Sequence, residues 1–192
     1  WRPHSPLYKK LGILENSHWG NFQDGYQTYV LPPNSPLFAQ IGAAFIKEYE
    51  KEFGSFEYYL ADTFNELNVP VHPDRRYDEL AAFGRAVYGS ITAAKPSAVW
   101  VLQGWMFGND RSFWDKPSVA ALLRDVPNDK VMVLDLCHEF YKGYKEQDAF
   151  YGKRWIASVI HNFGGNNPLY GDMNFFARQF SSVVKDSARG SL

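Results

Sequence analysis

The chain reads as an α/β protein, a partial (β/α)8 barrel of the TIM type in which parallel strands alternate with helices. Three observations predict it. Near-continuously apolar runs recur at roughly 25 to 40 residues, as strands covered on both faces require. Runs with helical apolar spacing fill the intervals, which is the signature of βα units. Four strands end in polar clusters, at Asp62–Glu66, Gln103–Trp105, Asp135–Glu139 and His161–Asn166. An open doubly wound sheet gathers function at one switch point, whereas a barrel brings every strand end to one mouth. A complete barrel takes about 250 residues. With 192 residues and four clear strands, residues 1–192 are expected to form a single segment inside a larger barrel domain.

Each element follows from local sequence. A weak strand is expected near Thr28 to Leu31. Ser35 and Pro36 suit an N-cap and first helical position, and Leu37, Ile41, Phe45, Tyr49 and Phe53 then share one face until Gly54 stops the helix. Tyr58 to Asp62 is the first clear strand, halted by Pro70 and Pro73 downstream. A helix from about Arg76 to Ala94 carries Leu80, Phe83, Val87 and Ile91 on one side. Val99 to Leu102 is the next strand, and a helix from about Pro117 buries Val119, Leu122 and Leu123. Val131 to Leu134 and Trp155 to Ile160 are the remaining strands. Asp172 is placed to cap a final helix bearing Met173, Phe176 and Phe180.

Composition narrows the function. A formal charge of -1 argues against nucleic acid or an anionic membrane as main partner. No run of apolar residues is long enough to span a bilayer. The start, Trp1 to Pro6, has no initiator Met and no signal-peptide pattern, so an excised segment is expected, with any targeting signal upstream. Cys137 is the single cysteine, which excludes an intrachain disulfide. Aromatic residues reach 17%. Large rings suit a core, and they also suit platforms that stack on sugar faces.

The candidate site residues come from the strand ends. Glu66, with Asn65 and Asp62, is the leading group, Asp62 being placed to orient Asn65 or a sugar hydroxyl; the bland alternative is that Asp62 and Asn65 cap the next helix, or Asp62 satisfies loop amides, and that Glu66 is solvated. Trp105 is a candidate stacking floor for a pyranose ring, or else a core residue beside Trp100. His161 and Asn162 are expected to line the mouth, or to serve as hydrogen-bonded scaffold. Glu139, with Asp135 four residues before it, is a candidate secondary acid or a structural one. No cofactor is expected, and a metal reading of His138-Glu139 fails because no second His follows at the metalloprotease spacing.

Five motifs occur in series: Glu15-Asn16-Ser17-His18-Trp19-Gly20-Asn21-Phe22, Asp62-Thr63-Phe64-Asn65-Glu66, Gln103-Gly104-Trp105, Val133-Leu134-Asp135-Leu136, and His161-Asn162-Phe163-Gly164-Gly165-Asn166. The series resembles the α-N-acetylglucosaminidases, family 89 of the glycoside hydrolases, from about Leu14 to Gly171. The resemblance implies release of terminal α-linked N-acetylglucosamine from glycans by a retaining mechanism in a (β/α)8 barrel. It implies a domain before the barrel and an all-helical one after it, both outside this chain, and an extracytoplasmic location. It also makes Glu66 the acid/base and Trp105 a pocket residue. The family's nucleophile is a Glu in a Pro-Glu-Gly-like motif on a later strand, and this chain contains no such motif.

Retaining hydrolysis needs an acid and a nucleophilic carboxylate about 5–5.5 Å apart. Phe64 and Leu67 flank Glu66, so a partly desolvated acid is expected. A Glu66–Glu139 separation above about 6 Å is expected, too long for a retaining pair. Alone, the segment is expected to lack hydrolase activity. Two other readings stay open, a non-catalytic carbohydrate-binding protein and an inactive barrel fragment whose bare strand edges favour aggregation.

Overall fold

A computed structural model describes residues 6–18, 26–160, 172–186 and 190–191. His161 and Asn162, expected at the mouth, lie outside the described residues, as does part of the motif that begins at Glu15. The chain falls into two compact units, one holding residues up to 59 with 63–98 and 121–126, the other holding 60–62, 99–120 and residues from 127 onward.

In the first unit, α1 (Pro6–Leu11) leads into a hairpin of β1 (Leu14–His18) and β2 (Gln27–Val30). The hairpin is antiparallel, pairing Leu14 with Val30 and Glu15 with Tyr29, and Tyr8 stacks on Tyr29 at 5.1 Å. The weak strand expected near Thr28 therefore exists, but in a separate two-stranded sheet rather than as another parallel strand.

Helix α2 (Pro36–Phe53) starts on Pro36 and ends at Gly54, whose φ of 88° is the left-handed stop that glycine permits. Ser35 occupies the N-cap position with extended backbone, yet its side chain makes no capping bond. The face on which the periodicity gathers the apolar residues is not the buried one. Phe45 is 65% exposed, and Ile41 and Phe53 also face solvent. The helix meets α3 (Arg76–Thr92) through Gly42 and Ile46 instead. A Cβ at Gly42 would approach Ser90 Cβ to 2.8 Å, so this contact needs a residue without a side chain. The periodic stripe packs on itself, with Tyr49 lying 4.9 Å from Phe53 and 6.1 Å from both Phe45 and Phe56. On α3 the expected face is the buried one: Leu80, Phe83, Val87 and Ile91 are all in the core.

The five-stranded sheet has the order β3-β4-β5-β6-β7. Its strands are β3 (Tyr58–Leu60), β4 (Val99–Gln103), β5 (Val131–Asp135), β6 (Arg154–Ala157) and β7 (Gly190–Ser191). From β4 to β7 every pairing is parallel, with Trp100 opposite Val131 and Val133 opposite Trp155. Just past β3, the Ala61 N–H donates to Val101 O at 3.0 Å, and Trp100 Nε1 donates to Ala61 O at 2.7 Å. Strand β6 is shorter than the apolar run suggested, ending at Ala157.

Short α4 (Trp105–Asn109) and α5 (Lys116–Leu123) follow β4; α6 (Gly143–Glu146) follows β5. Val119, Leu122 and Leu123 are fully buried, as their spacing predicts. Before β6, Asp148 to Tyr151 run in the left-handed region, with φ between 46° and 56°, and this turn drives Phe150 into the core. Helix α7 (Met173–Asp186) is capped as expected, Asn174 N–H donating to Asp172 Oδ1 at 2.8 Å. Of its expected apolar residues Phe176 and Phe180 stack, whereas Met173 is exposed.

Candidate active site

In the sheet unit, the strand ends meet on one edge because parallel βα units point their C-termini the same way. Asp62, at the end of β3, accepts the Gln103 N–H at 3.1 Å and so ties that end to β4. Its side chain is exposed, and this bond commits Oδ1 to a backbone amide. At the end of β4, Gly104 donates to Leu134 O at 2.7 Å, and a Cβ there would come within 2.8 Å of that oxygen. Only glycine lets the chain cross the end of β5 this closely.

Trp105 follows, half-buried, and forms part of the wall of a cavity of about 350 Å³. Trp100, within β4, is fully buried. Opposite walls come from Leu136, Cys137, Phe140 and Tyr141, the loop after β5. Gly104 and Gly108, one helical turn apart, leave the space; a Cβ at Gly108 would meet the Tyr141 ring at 2.8 Å. The Arg111 guanidinium lies 5.3 Å from the centre of the Tyr141 ring and pairs with Glu146. Sequence reasoning missed this aromatic and cationic wall. The signal was the glycine pair beside a tryptophan, which marks a place where side-chain volume is withheld.

The loop after β5 is organised by Asp135, which is 1% exposed and accepts from His138 Nε2, Gly143 N and Tyr144 N at 2.5, 3.0 and 2.9 Å. Burial, with the Glu139 and Asp135 charges behind it, pushes the Cys137 thiol up to about 11, which disfavours the thiolate at neutral pH. Burial likewise raises the Tyr141 phenol. Glu139 is half-buried, with Oε2 withdrawn from water and without a hydrogen-bond partner among the described residues. Among the described residues, no three His, Cys, Asp or Glu side chains gather as a metal site would require. No helix among them is long and apolar enough to cross a membrane.

Phe64, Asn65 and Glu66 belong to the first unit. Phe64 is buried against Phe83, their ring centres 5.6 Å apart, which anchors the segment. Asn65 keeps its carbonyl oxygen out of water with no partner among the described residues. A buried acceptor left so costs about 1–3 kcal/mol unless a donor arrives. Glu66 has φ of 55°, in the left-handed region where a side chain is strained. Its side chain is exposed, so the apolar shielding expected from Phe64 is not found here: that ring turns into the core. Behind it Asn16 and Asn68 exchange two hydrogen bonds, of 2.9 and 3.2 Å.

Comparison with known proteins adds independent findings. Residues 4–192 match the family model described as the alpha-N-acetylglucosaminidase (NAGLU) tim-barrel domain. Over 166 residues the chain is 38% identical to human alpha-N-acetylglucosaminidase, which covers 86% of this chain and 22% of the human protein. A family 89 glycoside hydrolase from Clostridium perfringens, solved with PUGNAc, superposes with a TM-score of 0.72 at 20% identity, covering 98% of this chain and 21% of that one. The Clostridium enzyme solved with its substrate GlcNAc-alpha-1,4-galactose gives 0.70 at 19% identity, covering 95% and 20%. The chain thus spans about a fifth of the length of these relatives.

Proposed function

The chain belongs to the alpha-N-acetylglucosaminidase family, whose barrel-domain model it matches almost throughout, and from that premise we propose that it carries the acid/base half of a retaining glycosidase site. The protein it forms part of releases terminal α-linked N-acetylglucosamine from glycans. The remaining barrel strands supply the nucleophilic carboxylate, and the enzyme works outside the cytoplasm. Glu66 protonates the leaving glycosidic oxygen and later deprotonates the water that frees the sugar. The Asn65 amide binds a sugar hydroxyl, Trp105 stacks under the apolar face of the pyranose, and Asp62 steadies the strand end beside them in sequence. His161 and Asn162 line the mouth, and Glu139 is a secondary acid outside the chemical step.

The observation that carries this reading is the Asn65-Glu66 pair. A glutamate in left-handed backbone stands next to an amide whose carbonyl oxygen is withdrawn from water and has no donor among the described residues. Such backbone strain persists where the surroundings over-determine it, and functional sites are where it gathers. The buried Phe64 and the Asn16–Asn68 bonds are the surroundings that enforce it.

A second reading has its own support. Glu66 is exposed, as it would also be in a carbohydrate-binding barrel without hydrolytic power, and the absence of a Pro-Glu-Gly segment from the full-length protein would favour that barrel. The test uses the full-length protein with Glu66→Gln. Turnover of a natural glycan, a poor leaving group, should fall about 10²–10⁴-fold, while an activated aryl α-N-acetylglucosaminide should lose far less. Equal losses on both would remove Glu66 from the acid role. Wild-type protein that binds but never cleaves would establish the second reading.

A further inference from the structure

We infer that Asp135 and His138 are positioning residues for sugar binding, holding the loop after β5 in the one shape that builds the cavity wall opposite Trp105. The inference rests on the reading that this cavity takes sugar. Asp135 is the last residue of β5, and Gly143 and Tyr144 open α6, so three hydrogen bonds to one carboxylate pin together the two ends of residues 136–142. Gly143 is obligatory, since a Cβ there would lie 2.3 Å from Asp135 Oδ1. Within the loop, Phe140 and Tyr141 both donate to Cys137 O, at 2.8 and 2.9 Å, and Cys137 takes a left-handed φ of 60°.

His138 points the other way from its neighbours. Its ring is fully buried and stacks on Tyr144 at 5.6 Å, which in turn stacks on Trp155 at 4.6 Å. Its backbone N–H donates to Ser158 O at 3.1 Å, and its carbonyl accepts from Gln179 Nε2 at 2.8 Å. One residue is thus locked into β6, α7 and the aromatic stack, while Leu136, Cys137, Phe140 and Tyr141 are left to face the cavity. The chemistry of the pair is specific. Nε2 faces Asp135 Oδ2, an acceptor, and Nδ1 is buried without a partner among the described residues, so a ring proton belongs on Nε2. An Asn in place of Asp135 would turn an amino group toward a donor, or force the ring proton onto Nδ1, where nothing among the described residues accepts it. A buried carboxylate is costly unless saturated, and an apolar loop closure would be cheaper. What the carboxylate adds is a fixed loop shape.

The test is made on the full-length protein with Asp135→Asn and His138→Phe, the second keeping the stack and removing one bond. Gly84→Ala, in the other unit, serves as a variant that lowers stability without touching the loop. Two quantities are followed: KM and kcat on an aryl α-N-acetylglucosaminide, and iodoacetamide labelling of Cys137 read on its peptide by mass spectrometry. Labelling needs no sugar and reports whether the wall has loosened. Both loop variants should raise KM about tenfold or more with a smaller change in kcat, and should speed Cys137 labelling about tenfold below the melting temperature. Gly84→Ala should change neither. Loop variants that melt earlier yet keep wild-type KM and slow labelling would overturn the inference, as would equal changes in Gly84→Ala. If wild type neither cleaves nor binds the glycoside, the sugar reading fails, and fast labelling in the loop variants then still marks the clamp. Should Asp135→Asn not accumulate, His138→Phe decides alone.

Discussion

Asn16 and Asn68 hold each other by two reciprocal hydrogen bonds: Asn16 Nδ2 donates to Asn68 O at 2.9 Å, and the Asn68 N–H donates to Asn16 Oδ1 at 3.2 Å. The pair joins β1 to the backbone two residues beyond Glu66. A side-chain amide can donate and accept along a backbone in this way, whereas a carboxylate only accepts. Asn16→Asp should therefore keep one bond and set a carboxylate against a carbonyl. We expect the Asn68 amide to exchange with solvent more easily by about 1 kcal/mol of opening free energy, measured by hydrogen exchange. Unchanged exchange would mean that the segment behind Glu66 is held elsewhere.

The Glu50 carboxyl is held below the usual carboxylate range by the Tyr59 hydroxyl, which donates to it at 2.5 Å. Ser55 Oγ at 2.8 Å and the Lys95 ammonium at 3.7 Å assist, while burial opposes them. A carboxyl whose folded pKa is depressed adds stability above its unfolded value of 4.5 and loses it as pH falls toward the folded value. Glu50→Gln should thus lower the melting temperature near neutral pH and flatten its decline below about pH 4.5. A wild-type and variant difference that stays constant down to pH 3 would show that the hydrogen bonds do not depend on ionisation.

Gly84 sits in the middle of α3 where a Cβ would lie 1.9 Å from the Leu122 carbonyl oxygen. The obstacle is backbone, so no side-chain rotation relieves it. Gly84→Ala should cost about 3 kcal/mol despite the better helix propensity of alanine, read as an earlier urea midpoint. A neutral or stabilising result would mean that α3 can slide along its neighbour.

Much of this was legible in the chain. Apolar runs and their polar ends located β3 to β6, since a buried parallel strand must be apolar on both faces. Helix starts at Pro36 and Arg76 and the Asp172 cap follow from local chemistry. The face of α2 was not legible. Periodicity shows that Ile41, Phe45, Tyr49 and Phe53 share a side, but contact with α3 is set by the small Gly42, and a residue lacking a side chain leaves no mark in an apolar pattern. Nor was the hairpin: β1, Leu14–His18, has only one apolar residue and is held by pairing with β2. For the candidate site residues, types alone single out Glu66, Asn65 and Trp105. The wall of Leu136, Phe140 and Tyr141 depended on a loop closure by Asp135 that only folding creates.

The backbone at Glu66 sets two selection pressures against each other. Its φ of 55° suits glycine or asparagine better than glutamate, by about 1 kcal/mol. Glutamate and glycine codons differ by a single base. In a mutagenised population screened for heat resistance alone, position 66 is therefore a site where the easiest gain is also the loss of the proposed acid. The same population screened for glycan cleavage would discard those variants. The direction in which this codon drifts reports what the protein is being asked to do.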